Sequence, residues 1–457
     1  MNIIICGAGR VGFTIAKLLS EQNHSITVID QSSDDIQKIN ETLDVKAIVG
    51  KATSPAVLEK ANISEANMII AVTRNDEINM LICQIAYSLF KIPKKIARIR
   101  SQEYLDPKFA QLFNKENLPI DFVISPEIEI AKSIHRKLES PGSSDNVPFA
   151  KNNIRLLEIL VDERCPINNI KLNELTNKFP KLNANILGVV RDEKFIFLKK
   201  NDYMKKNDKA YVAINASQIQ ETLEAFGHND PISKKILLIG GGNIGYNLAK
   251  NIESSANDTR LKIIEKNKER AEFLASELSN TIIINGNGLD EDVLKEANLE
   301  ETETVIALTN DDEDNLMVGV LVEKFSTNKR TMVLTTKPNY SLLQSSLKID
   351  DLIDPRMNTV SSILKHVHKG TIESAYSILN GEYEVIEAEI IESSDLINKK
   401  LKDSDLPDEI KIGAVLRDKE VIIPRSNYIF KKNDIVVFIA NKDQIPLVEN
   451  LFRISPV

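Results

Sequence analysis

Cys6-Gly7-Ala8-Gly9-Arg10-Val11-Gly12 is the stretch that decides how this chain folds. Met1-Asn2-Ile3-Ile4-Ile5 before it reads as a short buried strand, and Phe13 to Ser20 after it as the start of a helix. Ile26-Thr27-Val28-Ile29 then reads as a second strand, ending on Asp30. Strand, glycine turn, helix, strand and acid follow one another as in a dinucleotide-binding βαβ unit. Gly7 permits the tight turn, Gly9 lets backbone N–H groups approach a pyrophosphate, and Gly12 brings the helix against the strand. The helix N-terminus favours an anion, and Asp30 is placed to accept from ribose hydroxyls.

The pattern occurs twice. Gly240-Gly241-Gly242-Asn243-Ile244-Gly245 follows the apolar run Ile236-Leu237-Leu238-Ile239, and Leu261-Lys262-Ile263-Ile264 ends on Glu265. Gly7, Gly9 and Gly12 recur at constant offset as Gly240, Gly242 and Gly245. Ile69 to Asn79 is echoed by Val305 to Asn315, and Gly50-Lys51-Ala52-Thr53 by Gly286-Asn287-Gly288. A period of about half the chain is too long for a solenoid and marks a tandem duplication of whole domains.

At 457 residues the chain exceeds a single core. A composition of 42% hydrophobic and 27% charged residues is ordinary for globular material, and the net charge of −8 argues against a nucleic-acid partner. Cys6, Cys83 and Cys165 lie far apart, suggesting neither a disulfide framework nor a zinc site; Cys6 and Cys83 sit in apolar runs as small hydrophobes. The five histidines show no metal spacing, and His366 and His368 do not share a helix face. The strand at the N-terminus leaves no room for a signal peptide, and no apolar run spans a bilayer. The expected location is cytoplasmic.

Taken in order, six short apolar strands alternate with helices up to Ile124, the pattern of a parallel sheet covered on both faces. A helix from Glu127 to Leu138 and a linker at Pro141-Gly142-Ser143-Ser144 follow. Strands at Arg155–Val161, Ile186–Arg191, Phe195–Leu198 and Lys209–Ile214, with helices near Leu172–Phe179 and Ile219–Phe226, form a small α+β module without a glycine fingerprint. The second half repeats both parts, with a helix at Pro355–Lys369. The expected fold is α/β: two Rossmann-like, doubly wound parallel-sheet domains, 1–140 and 233–372, each followed by a small α+β domain, 150–227 and 380–457.

Thr73 and Thr309 end the fourth strand of each large domain, at the edge where ligands of open sheets lie, though a helix cap accounts for them equally. Asp76-Glu77 and Asp312-Glu313 read as caps that charge-stabilise helix starts. Arg98 and Arg100 share one face of the fifth strand and serve either a phosphate or an ion pair with the Asp76 and Glu77 region. No Ser-His-Asp or Cys-His arrangement is evident. A hydride-transfer enzyme needs an acid or base at its substrate pocket, and none stands out. Nucleotide binding without chemistry fits better than the competing reading, an NAD-dependent oxidoreductase with an unrecognised catalytic module. Asp30 and Glu265 fit NAD, NADH, ATP or ADP and disfavour NADP, whose 2′-phosphate would meet a carboxylate.

Gly7-Ala8-Gly9-Arg10-Val11-Gly12 with Asp30, Thr73 with Asp76-Glu77 and Asn79, and Ile96-Ala97-Arg98-Ile99-Arg100 together resemble a potassium-transport nucleotide-binding domain, also called a regulator-of-potassium-conductance domain. With Gly240 to Gly245 and Thr309-Asn310-Asp311-Asp312-Glu313, the whole chain resembles the peripheral subunits of bacterial Trk potassium-uptake systems. That resemblance implies a non-enzymatic regulatory subunit and a homo-oligomeric ring, usually a tetramer. The ring docks at the inner face of the plasma membrane beneath a Trk-type potassium channel or transporter subunit. NAD, NADH, ATP or ADP in the glycine clefts would rearrange the ring and gate the channel. It implies cofactor contacts from the two glycine turns, including Ala8, Arg10, Val11, Gly241, Asn243 and Ile244, from Asp30 and Glu265, and from Thr73, Arg74, Arg98, Arg100, Thr309 and Asn310. The second half carries Leu334 and Thr336 where the first carries Arg98 and Arg100, so the resemblance extends less fully to its phosphate end.

Overall fold

The computed structural model describes residues 1–452 apart from 23, 180–181, 256–257, 326–328, 345, 368–371 and 408. His368 and the expected end of the Pro355 helix at Lys369 lie outside the described residues. Internal contacts divide the chain into two compact units, Met1–Lys132 with Lys234–Leu364, and Ser133–Ser233 with Lys365–Val457. The large domains are therefore grouped together, and the small domains likewise, although they alternate in sequence.

In the first unit, β1 (Asn2–Cys6), β2 (Ser25–Asp30), β3 (Lys46–Val49), β4 (Met68–Ala71), β5 (Lys94–Arg98) and β6 (Phe122–Ile124) form a parallel sheet in the order β3-β2-β1-β4-β5-β6. Ile3, Ile4, Ile5, Val28, Ile29 and all of β4 are buried, as strands covered by helices on both faces must be. The order reverses direction between β1 and β4, and the crevice at that switch point is where such sheets take ligands.

The small domain between the large ones builds an antiparallel sheet from β7 (Ser143–Phe149), β8 (Ile154–Leu160), β9 (Ala184–Arg191), β10 (Lys194–Ile196) and β11 (Lys209–Asn215), ordered β10-β9-β11-β8-β7. Ser143 and Ser144, expected in a linker, open β7 instead. The polar residues and Pro148 hide this strand, and an edge position is what lets a sheet accept proline.

The second large domain repeats the first with β12 (Lys235–Ile239), β13 (Arg260–Glu265), β14 (Ile282–Asn285), β15 (Thr304–Ala307), β16 (Arg330–Leu334) and β17 (Asp351–Ile353), ordered β14-β13-β12-β15-β16-β17. The last sheet contains β18 (Ile372–Ile378), β19 (Tyr383–Glu389), β20 (Ile410–Arg417), β21 (Glu420–Ile422) and β22 (Ile435–Asn441), ordered β18-β19-β22-β20-β21.

The two small sheets share one core, in which Phe149, Leu187, Phe195 and Tyr211 of one pack with Val385, Ala414, Leu416 and Val437 of the other. All three cysteines are buried and free, and burial pushes the Cys6 and Cys83 thiols up. Among the described residues no helix is long and apolar enough to cross a membrane.

Candidate functional site

The first cleft is assembled at the carboxyl edge of β1 and β4. Gly7 has φ +116°, and a Cβ there would stand 2.9 Å from the Val72 carbonyl oxygen. A Cβ on Gly12 would lie 1.8 Å from the Gly7 carbonyl oxygen, so this glycine closes the turn onto the helix Arg10–Glu21. Gly9 differs from both, because a Cβ there meets nothing within 4 Å. It caps the helix with no side-chain hydrogen bond, leaving first-turn N–H groups to face the cleft.

Asp30 Oδ2 accepts from the Ala8 N–H at 2.6 Å, and Oδ1 accepts from the Ser32 N–H at 2.9 Å. The carboxylate is thus locked to the glycine turn, and each oxygen keeps a lone pair for a ribose hydroxyl.

At the other end stand the fourth and fifth strands. Thr73 caps no helix; that place is held by Asn75, whose Oδ1 accepts from the Ile78 N–H at 2.8 Å. The Thr73 hydroxyl and N–H both donate to Oδ1 of the fully buried Asn79. Asn79 Nδ2 in turn donates to the Arg98 carbonyl at 2.8 Å, tying the ends of β4 and β5 together. The second large domain repeats this with Thr309, Asn315 and the Leu334 carbonyl.

The capping role expected of Asp76 is also corrected. Its Oδ2 accepts the backbone N–H groups of Arg100 and Ser101, both at 2.8 Å. Asp312 does the same for Thr336. With Asp76 occupied by backbone, the ion pair considered for Arg100 forms elsewhere, with Glu127 Oε1 at 2.8 Å. Among the described residues Arg98 forms no ion pair. Its Nε is buried without a hydrogen-bond partner, as is Glu127 Oε2, and burial holds the guanidinium below its usual range. Such unsatisfied groups lining a cleft are an arrangement that a charged ligand would complete.

These groups line one cavity of about 950 Å³. Gly7, Gly9, Arg10, Val11, Asp30, Thr73, Arg74, Arg98 and Arg100 all face it, while Ala8 and Gly12 are buried beneath. The opposite wall comes from the second large domain and includes Ile244, Thr309, Asn310 and Thr336. Arg10 Nη1 donates to Thr336 Oγ1 at 2.6 Å across the two domains. Asn243, the counterpart of Arg10, approaches the Arg100 carbonyl at 3.5 Å in the reciprocal place.

The second cleft is smaller, about 380 Å³, and is lined by Gly240, Gly242, Glu265, Thr309 and Asn310 among others. Gly241 and Gly245 are buried, and Asn243 lies outside its lining. A Cβ on Gly242 would again meet nothing within 4 Å. Glu265 Oε2 accepts from the Gly241 N–H at 2.7 Å and Oε1 from the Asn267 N–H at 2.8 Å, as Asp30 does in the first.

Sequence reasoning missed Glu127, Asp35 and Arg270. Glu127 opens a helix just past β6, at the same sheet edge as Thr73, and that position was the available signal. Asp35 and Arg270 occupy equivalent places, each donating its N–H to the N-cap side chain of the helix after the acid, and the change of charge between repeats is visible in the sequence.

The TrkA-N domain family matches residues 3–126 and 236–355, and the TrkA-C domain family residues 156–227 and 385–453. The Trk system potassium uptake protein TrkA of Azorhizobium caulinodans is 39% identical over 100% of this chain and 99% of its own length. The protein of the same description from Vibrio alginolyticus is 34% identical over the same shares. The chain is similar in fold to the GsuK RCK domain, with a TM-score of 0.60 at 17% identity, covering 99% of this chain and 94% of that one. It resembles the GsuK channel bound to NAD equally, covering 78% of that chain. A duplicated RCK-type fold with paired glycine clefts is therefore the class of the molecule. The chain belongs to the TrkA family of Trk system potassium uptake proteins.

Proposed function

We propose that this chain is a nucleotide-binding regulatory subunit that controls a Trk-type potassium channel or transporter subunit from the inner face of the membrane, without catalysing a reaction. Its ligands are NAD or NADH, with ATP and ADP as competitors for the same clefts. The working assembly is a homo-oligomer, a tetramer by resemblance to the family. Residues 1–140 and 233–372 would be the nucleotide-binding parts, and 150–227 and 380–457 the small regulatory parts.

The observation that carries this reading is the first cleft. It joins an uncapped helix N-terminus beside the open Gly9, a carboxylate at the ribose end, and Arg74, Arg98 and Arg100 at the far end. Because its walls come from both large domains, occupancy changes the contacts between them. A ligand shifts such an equilibrium by its differential affinity for the two arrangements. The GsuK channel bound to NAD lends support by its fold. Potassium uptake is the test, in cells lacking their native subunit and supplied with wild-type chain or Asp30→Ala. The variant is expected to weaken every adenine nucleotide by about 1–3 kcal/mol and to lower uptake in step. Nucleotide affinities unchanged from wild type would refute the cleft, and uptake independent of nucleotide binding would refute the regulatory role.

A further inference from the structure

The two clefts carry their cations at opposite ends. In the first, Asp30 and Asp35 face the ribose end, and the arginines stand beyond β4 and β5. In the second domain Asn310, Leu334 and Thr336 stand at the positions of those arginines, Leu334 and Thr336 lining the first cavity, whereas Lys266 and Arg270 stand beside Glu265 in the second cleft. Arg270 lies in the first turn of the helix Lys268–Glu277, where the helix dipole disfavours a cation. A residue that breaks a local rule is expected where function compensates.

Its guanidinium is held in place. Nε donates to the Gly241 carbonyl at 2.8 Å, and the group lies 4.7 Å from the Phe273 ring centroid and 5.5 Å from that of Tyr246. Its Nη2 is buried with no hydrogen-bond partner among the described residues, and the residue lines the cleft. Both oxygens of Glu265 accept backbone N–H groups, and Lys266 and Arg270 flank this carboxylate in the lining.

We propose that the second cleft selects an adenosine whose ribose bears a 2′-phosphate, as in NADPH, and that Arg270 is its specificity-determining residue. This rests on the nucleotide reading above, and it reverses the expectation that both clefts reject such a ligand. A guanidinium fixed at one nitrogen offers its remaining N–H groups to a phosphate in the geometry that arginine favours. Asp35, in the equivalent place of the first cleft, repels the same group.

The test is calorimetric titration of the full chain carrying Gly9→Asp, which closes the first cleft, with NADH and NADPH. NADPH is expected to bind the remaining cleft at least as tightly as NADH. Arg270→Ala should weaken NADPH tenfold or more and NADH less than threefold, with Arg270→Lys between wild type and Arg270→Ala. Lys266→Ala, an exposed change that leaves packing intact, should cause a smaller loss confined to NADPH. Equal losses of both ligands in Arg270→Ala would overturn the proposal, since the residue would then only shape the cleft. Tenfold preference for NADH with Arg270 intact would overturn it too. In either case NADH binding would leave the nucleotide reading standing; a wild-type chain that binds no nucleotide would end both.

Discussion

Three glycines in one turn have three different physical roles, and substitution separates them. Gly12 is steric, since any side chain collides with the Gly7 carbonyl, and Gly7 adds a positive φ to a close backbone contact. Gly9 has free space around its Cα, so only a ligand objects to a side chain there. Gly12→Ala is therefore expected to cost about 3 kcal/mol or more of stability, the upper range of overpacking. Gly9→Asp should leave the melting temperature within about 2 °C of wild type, as befits a change with no clash. It should nevertheless abolish binding in the first cleft, because its carboxylate occupies pyrophosphate space. Calorimetry and thermal melts of both variants distinguish these outcomes. A Gly9→Asp chain that still binds normally would show that the cleft is not the site.

Between elements, the clearest energetic link joins β9 and β20 in the pair of small domains. Asn185 Nδ2 donates to the Ile412 carbonyl at 2.9 Å, and the equivalent Lys411 Nζ donates back to the Ile186 carbonyl at 2.6 Å. Burial pushes the Lys411 ammonium down to about 8. From pH 8 to its ordinary value of 10.5 the unfolded chain holds this proton and the folded chain does not. Stability relative to a chain without the amine therefore rises with pH through that window and stays at its lower level beneath it, where both states hold the proton. Melting curves of wild type and Lys411→Met should show the difference moving in favour of wild type as pH rises from 8 to 10, by an amount on the order of 2 kcal/mol. A difference independent of pH would mean that Lys411 keeps its proton when folded.

At the scale of the whole molecule, duplication has produced two unequal clefts. A terminal polyphosphate finds Arg98, with its free buried Nε, and Arg100 in the first cleft. The second domain has Leu334 and Thr336 at the equivalent positions, and the lining of its cleft has Asn310 in place of Arg74. One charge-assisted contact is worth about 1.5–3 kcal/mol, or roughly tenfold to a hundredfold in affinity. ATP should therefore bind the full chain carrying Gly242→Asp, which leaves the first cleft open, by that factor more tightly than the chain carrying Gly9→Asp. Arg100→Ala should narrow the gap and release Glu127 from its partner. Equal ATP affinities in the two single-cleft chains would refute the asymmetry.

Local rules explain how much of this was legible from residues alone. The glycine turns, the apolar strands beginning at Ile3 and Ile236, and the acids Asp30 and Glu265 are specified by neighbours along the chain, and the repeat doubled every signal. The edge strand β7 was not legible, because polar residues and a proline suit an edge and resemble a linker. Neither was the partner of Arg100. Period-two spacing placed Arg98 and Arg100 on one face of the fifth strand, but only packing decided that Asp76 would hold backbone and Glu127 the guanidinium. The Arg10–Thr336 bond joins residues from different repeats, and no local pattern encodes it. Sequence by itself thus determined the two duplicated nucleotide-type domains and their glycine turns, because short-range sterics and periodicity suffice for these. Tertiary structure alone decided which charges meet, which stay unpaired, and that one cleft takes walls from both domains, because those outcomes depend on distances between segments far apart in the chain.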